Sequence, residues 1–277
     1  GIKEPNTNTG LFAYHLEAPI ICAPIFGTDV NLGGGMTEAD LAEALVEGAR
    51  EAGIIAMLGE NGDTDSYRIG LKAIKKFGGY GIPMLKPVRT QSEIIRKIRG
   101  AEDAGCIAVA IDIDAGSFLA LGSNKEEIVT KTEEELAEIA ASTELPLIVK
   151  GVMSVQDAKI AVKAGAKGIY ISNHGGRVLE SSPATVDVLP DIAAAVKSRA
   201  KIIVDGGFRT GADVLKGMAL SSDIIGVGRP FAIAAYGGGA RGVQFAASRL
   251  REELMRAMIL SGVGALKDIT RETIGRL

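Results

Sequence analysis

The chain has 277 residues, 47% of them apolar and 23% charged, which excludes a disordered, collagenous or coiled-coil protein. Lys and Arg number 31 and Asp and Glu 34, so the formal charge is −3 and nothing electrostatic points to nucleic acid as a partner. No apolar run reaches the roughly 18 residues of a membrane-spanning helix, so no membrane partner is expected.

The chain opens on Gly1 rather than Met, which leaves open whether residues precede it, and its polar start has no signal-peptide pattern. Cys22 and Cys106 are too few for a disulfide framework. Both lie in apolar runs and read as buried thiols of a reducing, cytoplasmic compartment. Residues 1–17 read as an N-terminal arm, and His15 within it is assigned no function.

From residue 18 onward, short apolar β-branched runs alternate with amphipathic stretches. Strands are predicted at 19–26, 53–58, 81–85, 106–114, 145–151, 168–173, 201–207 and 223–228. Runs such as Leu147-Ile148-Val149 and Ile202-Ile203-Val204 are apolar on both faces, as strands of a parallel sheet covered by helices are. Between them, Leu41, Leu45 and Ala49 mark one helix face, and Ile94, Ile95 and Ile98 another. Ala246, Leu250, Leu254 and Met258 mark the longest helix, and 266–274 reads as a short terminal one. Helix starts carry a hydroxyl followed three residues on by a carboxylate: Thr37/Asp40, Thr90/Glu93, Thr132/Glu135, Ser154/Asp157 and Thr210/Asp213. The stretch 116–131 is a lid or a long connection.

Eight strand–helix units predict an α/β fold, a single-domain (β/α)8 TIM barrel over residues 18–277. A doubly wound open sheet competes, but no GxGxxG follows the first strand. In the barrel, chemistry sits at the C-terminal strand ends. Those ends carry Asp112 and Asp114, Lys150, Ser172 with His174 and Arg177, Asp205-Gly206-Gly207 with Arg209, and Gly228-Arg229. Glycines admit a phosphate close to backbone N–H groups, and Arg209 and Arg229 add charge-assisted bonds. The plainer reading of these glycines is chain turning. His174 suits a general base near neutral pH, against a core histidine bonded to a carbonyl. Lys150 suits stabilisation of negative charge or a Schiff base, and residue type alone does not choose. No metal is expected, because no His, Cys, Asp and Glu set has ligand spacing.

Three segments carry a resemblance. They are Ile148-Val149-Lys150-Gly151-Val152, Ser172-Asn173-His174-Gly175-Gly176-Arg177, and Asp205-Gly206-Gly207-Phe208-Arg209-Thr210-Gly211-Ala212-Asp213 running on to Gly228-Arg229-Pro230-Phe231. In this order they resemble the FMN-dependent 2-hydroxy acid oxidases and dehydrogenases. The resemblance implies an FMN-binding barrel that oxidises a small 2-hydroxy acid to the 2-oxo acid. It implies His174 as the base, Asp114 as its partner, and Arg177 on the substrate carboxylate. It also implies Lys150 beside the flavin, and Ser172, Asp205, Gly206, Gly207, Arg209, Gly228 and Arg229 in the FMN site. A homo-oligomer, tetramer or larger, is implied as well.

The sequence departs from that pattern on the substrate side. Lys86 stands where the family has a substrate tyrosine, and it is assigned to substrate binding in its place. Residues 115–119 hold no arginine, and the polar flavin contacts fall on Gly59 and Asp112. The departures keep two alternatives open: a non-redox FMN barrel similar to type 2 isopentenyl diphosphate isomerase, and a non-catalytic phosphate-ligand-binding barrel. The particular 2-hydroxy acid and the electron acceptor stay open.

Overall fold

The computed structural model describes residues 2–61, 64–117 and 127–275. Of the predicted lid or connection, residues 118–126 lie outside the described residues. A short hairpin, β1 (Thr9–Leu11) and β2 (Tyr14–Leu16), precedes β3 (Ile20–Ile25), the one-turn α1 (Thr28–Asn31) and α2 (Glu38–Glu51). There follow β4 (Ile55–Leu58), α3 (Thr64–Lys76), β5 (Ile82–Leu85), α4 (Gln91–Asp103), β6 (Val109–Asp112) and α5 (Glu133–Ala141). The second half comprises β7 (Leu147–Val152), α6 (Val155–Lys163), β8 (Gly168–Ile171), α7 (Thr185–Val196), β9 (Lys201–Val204) and α8 (Gly211–Ala219). It ends with β10 (Ile224–Val227), α9 (Arg229–Leu260) and α10 (Arg271–Ile274).

Strands β3 to β10 form a closed barrel of parallel pairs, sealed where Ile225 of β10 lies opposite Ile20 of β3. This is the (β/α)8 barrel, and its closure rules out the doubly wound sheet. All eight predicted strands are present, but three stop two or three residues before their predicted ends. The chain leaves β6 at Asp112 for a 3₁₀ turn, Ile113–Ser117, and leaves β8 at Ile171. It leaves β9 at Val204, just before Gly206 and Gly207 adopt left-handed backbone. Each shortened end is a rim segment.

Strand alternation decides what faces the barrel axis. Met57, Ile82, Met84, Ala108, Ala110, Ile148, Tyr170, Ile203 and Ile224 form the interior cluster. Their neighbours Leu58, Leu85, Val109, Ile111, Val149, Ile171 and Val204 pack outward beneath the helices. Counting on by two from the interior residues reaches Lys86, Asp112, Lys150, Ser172 and Asp205. The polar rim is therefore a consequence of strand parity.

At the other end, the N-terminal arm carries the β1–β2 hairpin. Leu11 and Leu16 of the hairpin are fully buried in the interior cluster and plug the barrel floor. His15 is exposed there and pairs with Glu17 at 3.5 Å.

Four of the predicted caps form. Thr37 and Ser154 accept the N–H three residues on, and Thr132 and Thr210 make full reciprocal capping boxes. Thr90 does not use its side chain, and its carbonyl instead accepts the Glu93 N–H at 3.1 Å. Helix α9 breaks at Gly238 and Gly239, and its Leu250, Leu254 and Met258 are buried as their spacing predicts. The predicted terminal helix splits into a 3₁₀ turn, Leu266–Asp268, and α10. Both cysteines are free and buried, as expected. Among the described residues no helix is long and apolar enough to cross a membrane.

Candidate active site

Lys150 ends the straight part of β7. A register shift between Lys150 and Val152 bulges the strand at Gly151, which has φ of 93°. Lys150 is buried, and its Nζ donates to Asp112 at 3.0 Å. Asp112 sits at the register-matched position of β6 and is 2% exposed. Its other oxygen accepts from Lys86 Nζ at 2.6 Å. Burial opposes ionisation of Asp112, but the charges of Lys150, Lys86 and His174 outweigh it and hold the carboxyl well below its usual range. Burial likewise works against the Lys150 ammonium, and the carboxylates of Asp112, Asp114 and Asp205 reverse the balance and raise it.

His174 stands on a 3₁₀ turn, His174–Gly176, just past β8. Its backbone is left-handed, with φ of 56°, an unusual conformation for a residue with a side chain and one that concentrates at functional sites. Nδ1 faces Asp114, 3.1 Å from one carboxylate oxygen and 3.2 Å from the other. Lys150 Nζ is 3.5 Å from the same nitrogen. Burial raises the Asp114 carboxyl, the pairing with His174 lowers it, and the Asp112 charge adds to the rise. Arg177 leaves the turn exposed, its Nε donating to the His174 carbonyl at 3.2 Å and Nη1 to Asn31 Oδ1 at 3.2 Å. Asn31 on α1 thus steadies the guanidinium from across the rim.

The other half of the rim is built from adjacent strand ends, since β9 pairs directly with β10. Gly206 and Gly207 have φ of 108° and 88°, and a Cβ on Gly207 would meet open space. Gly228 precedes α9 with no side chain capping the helix; Pro230 brings no N–H, and the Gly228 carbonyl takes the Phe231 N–H at 2.9 Å. Arg209 and Arg229 are exposed on either side. Ser172 is fully buried below, and burial raises the Asp205 carboxyl against the opposing pull of Lys150 and of a hydrogen bond from Ser172. Guanidinium groups around an open glycine turn fit a phosphate, and the buried ammonium fits an electron-rich ring.

All the predicted site residues therefore lie on one rim. One residue that sequence reasoning left out, Glu60, joins it, and Asp112, read only as a strand-end carboxylate at a flavin-contact position, ties it together. Glu60, just past β4, is 3% exposed and accepts both the Lys86 N–H at 2.7 Å and Lys97 Nζ at 2.7 Å. Asp112 links Lys86 to Lys150. The signal for both was a carboxylate at the end of an apolar strand. Asp112, Asp114 and His174 bring possible metal-ligand atoms within 4.8 Å of one another. Lys150 Nζ contacts two of the three, so an ammonium supplies the balancing charge there.

The FMN-dependent dehydrogenase family matches residues 122–276. An L-lactate oxidase from Lentilactobacillus hilgardii is 37% identical over 231 residues, covering 83% of this chain and 57% of that protein. An L-lactate oxidase from Lacticaseibacillus rhamnosus is 30% identical over 299 residues, covering 97% of this chain and 79% of that one. A crystal structure of mandelate oxidase superposes with a TM-score of 0.82 at 30% identity, covering 98% of this chain and 82% of that one. The shared region spans 35% of an L-lactate oxidase from Lactobacillus jensenii and 83% of a 4-hydroxymandelate oxidase from Amycolatopsis orientalis. The chain belongs to the FMN-dependent dehydrogenase family, that of the FMN-dependent 2-hydroxy acid oxidases, and its cofactor is FMN. Neither the isomerase-like nor the non-catalytic alternative is favoured by these relatives.

Proposed function

We propose that the protein oxidises a small 2-hydroxy acid to the corresponding 2-oxo acid. FMN, when bound, supplies the acceptor for the two electrons leaving the substrate. His174 takes a proton from the substrate at Nε2. Its Nδ1–H is directed to Asp114, 3.1 Å away, which orients the ring and stabilises the imidazolium that forms. Arg177 binds the substrate carboxylate through its exposed guanidinium. Lys86 is the second cation on the substrate side, and Asp112 already takes up much of its charge. Lys150 stabilises negative charge on the flavin ring, favoured over a Schiff base because its carboxylate neighbours keep it an ammonium. Arg209 and Arg229, with Gly206, Gly207 and Gly228, hold the FMN phosphate, and Ser172 and Asp205 line the ring.

The observation that carries this reading is the His174–Asp114 pair on the same rim as buried Lys150 and exposed Arg177. The test is formation of a 2-oxo acid, trapped as its phenylhydrazone, from glycolate, lactate and mandelate under air. Product with any of them supports the reading; none with FMN bound contradicts it. The electron acceptor is left to that experiment. A cytoplasmic homo-oligomer, tetramer or larger, completes the proposal. Buried free thiols support the compartment, and Ile233, Phe245 and Leu260, 72%, 67% and 80% exposed, support a subunit contact.

A further inference from the structure

The rim carries a buried carboxylate that the proposed reaction does not use. Asp112 lies between two ammonium groups, 2.6 Å from Lys86 Nζ and 3.0 Å from Lys150 Nζ. The side chains of all three are 13% exposed or less. The bridge is also scaffolded. Glu60 fixes the backbone of Lys86 through its N–H, and Lys97 on α4 balances Glu60 at 2.7 Å. The Glu60 hydrogen bond and the Asp112 ion pair thus hold Lys86 in place, with Asp112 facing both lysines.

A carboxylate 3.0 Å from an ammonium turns its charge into a dipole, whose field falls away much faster with distance than that of a lone charge. Lys150 therefore acts on its surroundings with less than a full positive charge. Lys86 works the other way, because it draws part of the Asp112 charge to itself.

We infer that Asp112 sets how strongly the site favours reduced over oxidised flavin, by drawing on the Lys150 ammonium to an extent that Lys86 limits. This rests on the assignment of Lys150 to the flavin ring. Reduction adds two electrons and one proton to FMN and leaves an anionic ring, so positive charge nearby favours the reduced form. Asp112 diminishes that preference, and Lys86 partly restores it.

The test is the midpoint potential of bound FMN, by titration with dithionite as two-electron reductant against a reference dye. Asp112→Asn keeps the shape and removes the charge. It is expected to bind reduced FMN about tenfold more tightly relative to oxidised FMN, a rise of about 30 mV for a two-electron couple. Lys86→Met is expected to shift the potential the opposite way. A residue with a purely structural role would move neither. An unchanged or lowered potential in Asp112→Asn with FMN still bound overturns the inference. If that variant does not fold or loses FMN, Lys86→Met decides, and an unchanged or raised potential there overturns it. A wild-type protein that takes up no FMN overturns the flavin-site reading and this inference with it. Bound FMN with the same potential in both variants overturns this inference alone.

Discussion

A methyl group on Gly151 would lie 2.7 Å from the carboxyl carbon of Asp114 and 2.8 Å from its backbone nitrogen. The missing side chain at the β7 bulge is what lets Asp114 settle beside His174. The left-handed backbone of Gly151 adds a second constraint, since a side chain is strained at φ of 93°. Gly151→Ala is expected to lower stability by about 1–3 kcal/mol and to cut turnover at least tenfold. Urea unfolding and steady-state kinetics on the same preparation check both effects. Wild-type turnover in Gly151→Ala would mean that the Asp114 position does not matter.

Arg209 and Arg229 flank the glycine turn proposed for the FMN phosphate. A charge-assisted bond to phosphate contributes about 1.5–3 kcal/mol, so Arg209→Ala is expected to weaken FMN binding roughly 10- to 100-fold. The quenching of FMN fluorescence on titration into flavin-free protein measures this. Because Arg209 is exposed, its loss leaves the thermal midpoint of the flavin-free protein nearly unchanged.

Lys97 and Glu60 form an ion pair whose side chains are 2% and 0% exposed. Lys97→Met leaves Glu60 buried without its cation, at an expected cost of about 3–5 kcal/mol. Burial already raises the Glu60 carboxyl, and losing Lys97 raises it further. A carboxyl with a raised folded-state value favours the fold while protonated, and that contribution is lost as pH rises through the folded value. Urea unfolding of Lys97→Met should therefore show a larger deficit at pH 8 than at pH 5.

Asp112 has the opposite sign. Its lysine neighbours hold it below the usual carboxylate range, so its ionised form stabilises the fold above the ordinary aspartate value of about 3.9. That stabilisation is lost as pH falls through the depressed folded value. Asp112→Asn should be about 3 kcal/mol less stable than wild type at pH 7, with the gap closing in strong acid. Paired denaturation curves across pH 2 to 7 measure it.

The barrel was legible because its strands are apolar on both faces and its caps and helix faces agree with them. Most of the site was legible for the same reason. Once β7, β8 and β9 are placed, Lys150, Ser172 and Asp205 are their polar ends. What was not legible depends on contacts distant in sequence. Lys97 sits in Arg96-Lys97-Ile98-Arg99, which reads as a solvated helix edge, and only its packing against Tyr67 and Glu60 buries it. Glu60 is a lone carboxylate until Lys86 and Lys97 meet it. The hairpin was missed because each of its strands is only three residues long, too short to show a periodic pattern. Thr90 has the residue types of a capping box, yet its backbone takes the bond that its hydroxyl was expected to take.

The most direct test of the central claim is the visible absorption of the FMN-loaded protein during anaerobic mixing with a 2-hydroxy acid such as lactate. Bleaching of the flavin band is expected in the wild type. His174→Asn should retain the band and bleach about 10²- to 10⁴-fold more slowly, the range for loss of a general base. A wild-type flavin band that persists with glycolate, lactate and mandelate alike, or equal rates in both proteins, would contradict the account.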